Sequence, residues 1–162
     1  MKIGGNQGIN LLKNKEFIIR GRVDRVDKYE GLLRIIDYKT GTVTQNDISF
    51  NEFEELVDNP KKSKVFQLLV YTYLYLKTYP EKMDNKIIAG NLSFKNLKEN
   101  PLILSKKLSG NKKEVLYINS EILNDIETLI TSLLTKVVSE DFIQTEDVSR
   151  CEFCDYKSVC NR

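Results

Sequence analysis

The sequence contains no histidine and no tryptophan, and only three prolines. Its three cysteines, Cys151, Cys154 and Cys160, are confined to the C-terminal end. The lack of histidine excludes any mechanism that needs an imidazole base or ligand from this chain. An odd number of clustered cysteines argues against a disulfide framework and towards a metal or cluster site. Neither sign of charge dominates: 25 Lys and Arg stand against 23 Asp and Glu, a net charge of +2. A uniformly basic coat is therefore absent, and contact with a polyanion must use a local patch. Lysine pairs at 61–62, 106–107 and 112–113 fall in expected loops and read as solvated surface. No apolar run approaches the roughly 18 residues of a membrane span. The N-terminus lacks a signal-peptide pattern, so the expected compartment is the cytoplasm, with no membrane partner.

What is present suits one globular domain. The 162 residues, 41% of them hydrophobic, suffice for a real core. Residues 15–27 and 32–39 read as two strands joined by a four-residue loop, Lys28-Tyr29-Glu30-Gly31. The segment 42–60 is polar, with a short helix expected near Phe53 to Val57. A helix is expected over 62–78, stopped by Pro80, then a strand from Ile87 to Phe94. Residues 102–108 and 114–118 read as a second hairpin around Ser109-Gly110-Asn111. Asn119 or Ser120 caps a long helix to about Val138, with Ile122, Ile126, Leu129, Ile130, Leu133 and Val137 on one face. The tail 141–162 is irregular, with Phe142, Ile143, Phe153 and Tyr156 as its main apolar anchors. Helices mixed with antiparallel strand pairs give an α+β or mixed α/β class.

The chemistry centres on Gly21-Arg22-Val23-Asp24-Arg25 and Ile36-Asp37-Tyr38-Lys39. Residues two apart on a strand share a face, so Asp37 and Lys39 point the same way, Cα atoms roughly 7 Å apart. If Asp27 pairs with Leu32, Asp24 lies opposite Ile35 and diagonal to Asp37, within reach of a shared cation. Asp27 then falls on the other face. Two carboxylates aimed at one point are costly unless neutralised. Oxygen-only ligands suit Mg²⁺ or Mn²⁺. Lys39 beside them is placed to orient a water or stabilise charge on a phosphate. The competing reading is an exposed hairpin with surface ion pairs. In the next helix Gln67 and Tyr71, four apart, share a face among Phe66, Leu68, Leu69 and Val70. There the competing reading is an amphipathic helix with Tyr71, Tyr73 and Tyr75 at the core margin.

Together these segments resemble the PD-(D/E)XK nuclease superfamily, in particular the C-terminal nuclease domain of the AddAB and RecBCD type of helicase–nuclease and its AddB-like subunit. Asp24 matches the first acidic ligand. Asp37-Tyr38-Lys39 matches the D-x-K motif, with Asp37 as ligand, Lys39 as catalytic lysine and the Tyr38 carbonyl as backbone ligand. Gln67-x-x-x-Tyr71 matches the QxxxY motif associated with DNA contact. Cys151, Cys154 and Cys160 resemble the last three ligands of the family's 4Fe–4S staple. The resemblance runs from about residue 17 to the C-terminus.

It implies a restriction-endonuclease-like core, a central mixed sheet flanked by helices, as a single domain over 1–162 with a cysteine-bearing tail at 141–162. It further implies a Mg²⁺- or Mn²⁺-dependent DNA exonuclease of repair and recombination. Its partners would be single-stranded DNA ends and a helicase region or partner subunit. Two departures stand out: the family's first cluster cysteine and an upstream histidine or glutamate ligand have no counterpart here. The expectation is a C-terminal fragment of a longer protein, with no intact 4Fe–4S cluster in this chain. A CRISPR-adaptation type exonuclease, or a non-catalytic DNA-binding or scaffold module on the same fold, are the alternatives.

Overall fold

The computed structural model describes residues 2–12, 15–98, 101–141, 143–152 and 154–161, with side chains from Phe17 onward except those of residues 111 and 150. In chain order the elements are β1 (Lys2–Leu12), β2 (Lys15–Arg22), β3 (Arg25–Tyr29), β4 (Leu32–Lys39), β5 (Ser49–Phe50), α1 (Glu55–Asp58), α2 (Ser63–Thr78), β6 (Lys86–Ser93), β7 (Leu102–Ile103), β8 (Ser105–Lys107), β9 (Lys113–Val115) and α3 (Ser120–Ser139). Short 3₁₀ turns precede and follow α2. The central sheet has the order β3-β4-β6-β7, with β4 and β6 parallel and the outer pairs antiparallel. β1 pairs with β2, and β5, β8 and β9 form a third small sheet. This is a mixed α/β architecture with helices packed against mixed sheets.

A parallel pair needs a crossover, and α2 supplies it between β4 and β6. On the covered face of that pair, Leu33 and Ile35 lie beside Ile87 and Ala89. They share one buried cluster with Val65, Leu68 and Leu69 of α2 and with Ile126, Leu129 and Ile130 of α3. Each fully buried aliphatic side chain of this kind contributes about 1.5–3 kcal/mol. Farther along the same face, Asp37 lies beside Asn91 and Lys39 beside Ser93. The face therefore changes from apolar to polar at the C-terminal ends of its two parallel strands.

α2 is more enclosed than its pattern suggests. Tyr73 and Tyr75 are buried rather than at the core margin. Burial, with Glu127 beside it, pushes the Tyr73 hydroxyl up to about 12. Thr72 and Thr78 donate their hydroxyls back to Leu68 O and Leu74 O, so these groups stay satisfied inside the helix. Gly21 makes the close approach of α2 to β2 possible: a Cβ there would lie 2.7 Å from Leu74 Cδ1 and 3.3 Å from Tyr71 Cδ1.

Several expectations need correction. The single strand over 15–27 is broken at Val23-Asp24 into β2 and β3, and β2 pairs with β1, a strand the sequence pattern did not reveal. The first hairpin turns through two residues, not four. Glu30 (φ 47°) and Gly31 (φ 77°) take the left-handed conformations a tight hairpin turn requires. Tyr29 therefore pairs with Leu32, and Asp27 with Arg34 rather than Leu32. The expected helix near Phe53 begins later, at Glu55. The second hairpin is shorter: Ile118 instead bridges to Ile87. α3 is capped by Asn119, whose Oδ1 accepts from Ile122 N at 2.8 Å. Its buried stripe is Ile126, Leu129 and Ile130, while Val137 is exposed. Of the four expected tail anchors, Phe142 and Phe153 lie outside the described residues, and Ile143 and Tyr156 are exposed. No helix among the described residues is long and apolar enough to cross a membrane.

Replacing Gly21 by Val should force Leu74 and Tyr71 to repack and lower stability by about 1–3 kcal/mol in urea denaturation. Gly41→Ala, with open space around the new methyl, should stay within about 0.5 kcal/mol of the parent protein. Equal stability of the Gly21→Val protein would show that the close approach carries no constraint.

Candidate active site

Asp37 occupies the point where the apolar face ends, and it is 4% exposed. Its Oδ2 accepts from Lys39 Nζ at 2.7 Å and from Asn91 Nδ2 at 2.8 Å. Lys39 Nζ also donates to Gln67 Oε1 at 2.6 Å, and Gln67 Nε2 donates to Tyr71 Oη at 2.9 Å. Asp37, Lys39, Gln67 and Tyr71 thus form one connected chain of polar groups across β4 and α2. The i, i+4 spacing on α2 and the i, i+2 spacing on β4 make this connection possible.

Asp24 joins from the break between β2 and β3. The observed register, in which Arg25 pairs with Ile36, places Asp24 level with Asp37 rather than diagonal to it as expected. The pairing differs by two residues, so the face is unchanged. Its exposed carboxylate accepts from Tyr38 N at 2.9 Å, which fixes it over the Asp37–Tyr38 peptide. Asp27 lies on the opposite face, bound by Arg34 at 2.7 Å and by Arg25. Those guanidiniums hold its carboxyl below the usual carboxylate range.

Burial pushes the Asp37 carboxyl up, and the negative Asp24 nearby adds to this, while Lys39 and Asn91 oppose it. Asp24, Asp37 and the Tyr38 carbonyl are the oxygen groups here that could hold Mg²⁺ or Mn²⁺. Mg²⁺ is usually held by one or two carboxylates together with water and substrate oxygens. Among the described residues no group of three or more Asp, Glu, Cys or His side chains gathers around one point. The three cysteines are likewise not gathered: Cys151 is buried, Cys154 exposed and Cys160 partly covered. A 4Fe–4S cluster takes four thiolates, and three thiols in this chain do not fit it.

Asn91 is the site residue that the sequence reading missed. It is fully buried in β6, directly beside Asp37 in the parallel register. Its Oδ1 has no hydrogen-bond partner among the described residues. An orphaned buried acceptor costs about 1–3 kcal/mol, so the amide is oriented for Asp37 at a cost to itself. An asparagine directly after the run Ile87-Ile88-Ala89-Gly90 was the signal in the sequence.

The raised Asp37 carboxyl has a thermodynamic consequence. The native state binds this proton more tightly than the unfolded chain, so stability falls as pH rises through the native titration point. In chelator, Asp37→Asn should therefore melt a few degrees higher than the parent at pH 7.5. The difference should shrink as pH falls towards 4. A variant melting lower than the parent at pH 7.5 would show that the Lys39 pair outweighs desolvation.

Comparison with known proteins places this geometry in a family. The profile of the PD-(D/E)XK nuclease superfamily matches residues 4–161. Relatives include one of the subunits of the ATP-dependent helicase/deoxyribonuclease from Clostridium perfringens, in strains SM101, ATCC 13124 and 13. Each is 30% identical over 123 residues, which cover 74% of this chain and 9% of the relative's length. No solved structure matches the chain significantly. The chain belongs to the PD-(D/E)XK nuclease superfamily.

Proposed function

We propose that the chain is a metal-dependent deoxyribonuclease domain that hydrolyses phosphodiester bonds. It would act in the cytoplasm as an exonuclease on single-stranded DNA ends, fed by a helicase region or partner subunit, in repair or recombination. The observation that carries this reading is the buried Asp37 carboxylate, shared by Lys39 and Asn91 and level with Asp24. The relatives' name supports the choice of DNA as substrate and of a motor as partner.

Hydrolysis forms one phosphorus–oxygen bond from water and breaks the bond to the departing sugar oxygen. Negative charge accumulates on the phosphoryl and leaving oxygens. Lys39 as an ammonium has three protons. Two are directed at Asp37 and Gln67, which leaves the third for a phosphate oxygen or the attacking water. Gln67, steadied by Tyr71, sets the direction of that ammonium and contacts the DNA strand with Tyr71. Mg²⁺ or Mn²⁺, held by Asp24, Asp37 and the Tyr38 carbonyl, would supply Lewis-acid polarisation of the phosphate. Asn91 occupies Asp37 Oδ2 with a neutral donor, so Asp37 is oriented without the charge that a second lysine would add.

Lys39→Ala should leave the fold intact and reduce Mg²⁺-dependent cleavage of labelled single-stranded DNA by about 10²–10³-fold, mainly in kcat. Undiminished cleavage by the folded variant counts decisively against this role. Asn91→Leu removes an orphaned polar group along with the donor to Asp37. It should stay folded, because the lost donor to Asp37 and the removed orphan each count for about 1–3 kcal/mol and oppose one another, yet lose about 10–100-fold in metal activation or turnover. Full activity in that variant would reduce Asn91 to a packing residue.

A further inference from the structure

The lysine pairs that are dispersed in the sequence meet in the fold. β8 and β9 form a hairpin in which Lys107 is the direct cross-strand partner of Lys113. Like charges directly opposite each other on a sheet are destabilising. The neighbouring pair, Lys106 and Glu114, carries opposite charges, and Lys106 is neutralised further by Glu52 at 2.8 Å. Lys107 and Lys113 have no ion-pair partner among the described residues. Lys62, just before α2, approaches the same place. Its Nζ donates to Asn46 O at 2.9 Å and to Ser49 O, while Lys113 Nζ donates to Asn46 Oδ1 at 2.7 Å. These acceptors are neutral oxygens, and no carboxylate ion pair holds these ammonium groups among the described residues. Two carboxylates are nearby, Asp47 accepting from Thr44 and Glu55 from Asn51, and both offset part of the Lys62 charge. Burial lowers the Lys62 ammonium most, Lys107 and Lys113 lower it further, and Glu55 and Asp47 oppose the shift.

Asn46, Asn51, Lys107, Leu108, Gly110 and Lys113 line a cleft of about 530 Å³ at this hairpin. Two ammonium groups and the Asn46 amide around an open space suit an anion with several oxygens, while the Asn51 amide is already bonded to Glu55. The cleft is also joined to the candidate active site by covalent structure. The loop that carries Asn46 leaves β4 directly after Lys39, and Ser93 Oγ holds it at Gly41 O, 2.7 Å away. Lys62 precedes Gln67 by five residues, a rise of roughly 7.5 Å along a helix.

We propose that the Lys107–Lys113 cleft is a second phosphate-binding subsite, which grips the backbone of a nucleic-acid strand away from the scissile position. This rests on the nuclease reading above. The contact is with phosphate and carries no base specificity. It relieves the cross-strand repulsion and lengthens the footprint of the enzyme beyond the nucleotides at Lys39.

The test uses labelled oligothymidylates of 4 and 20 nucleotides, with fluorescence anisotropy in chelator and cleavage in Mg²⁺. The test variant is K107Q/K113Q; the control, K28Q/K86Q, makes the same charge change elsewhere. For the test variant, affinity for the 20-mer should fall about 10-fold or more at 0.1 M salt. The slope of log K against log salt should become shallower by about 1.4, the value for two lost phosphate contacts on a single strand. Binding and cleavage of the 4-mer should stay within about two-fold of the parent, and the melting temperature should hold or rise as the like-charge pair disappears. Unchanged 20-mer affinity and slope, or an equal loss in the control, would overturn the subsite while leaving a cleaving parent protein as a nuclease. Equal loss on the 4-mer would overturn it too, by placing the lysines at the scissile position. A parent protein that neither binds nor cleaves any oligonucleotide would remove the nuclease reading itself.

Discussion

Burying the Asp37 carboxylate at the end of an apolar strand face is unfavourable, and Lys39 and Asn91 offset that cost only in part. Much of the architecture serves to hold this group in place. The parallel pairing of β4 with β6 sets Asn91 beside it, and α2 closes over Lys39 with Gln67. Gly21 leaves room for the Leu74 and Tyr71 side chains of α2 against β2. The break at Val23-Asp24 frees Asp24 from the strand ladder, so that its carboxylate can settle on the Tyr38 amide. Functional sites are where local rules of burial and pairing are broken, and here the violations are a raised carboxyl and the orphaned Asn91 Oδ1.

The charge pattern around the site is asymmetric. The negative groups Asp24 and Asp37 lie level with one another, where the proposed function puts a divalent cation. Lys62, Lys107 and Lys113 gather at the far end of the loop that leaves Lys39. A polyanionic strand crossing both would meet a neutralising cation at one place and ammonium groups at the other. The small net charge of the chain is compatible with this, because the attraction is local rather than global.

Much of this was legible before the structure, for identifiable reasons. Strand parity has a period of two, so a register error of two residues left Asp24, Asp37 and Lys39 on one face although the turn was misread. The turn was misread because Glu30 occupies a left-handed position that composition alone does not reveal. Helical spacing sufficed to join Gln67 to Tyr71. β1 was illegible because its residues carry no clean apolar alternation, and Asn91 because its meaning depends on a neighbour 54 residues away. The burial of Tyr73 and Tyr75 comes from packing on several sides of α2, which a single-helix pattern does not express. The meeting of the lysine pairs is likewise a product of β8–β9 register and of the path of the 40–48 loop.

The most direct measurement is calorimetric titration of Mn²⁺ into the parent protein and into separate Asp24→Asn and Asp37→Asn variants. One Mn²⁺ should bind per parent chain, and each variant should lose that binding while remaining folded by circular dichroism. Undiminished Mn²⁺ binding in either folded variant would contradict a metal centre built on these two carboxylates.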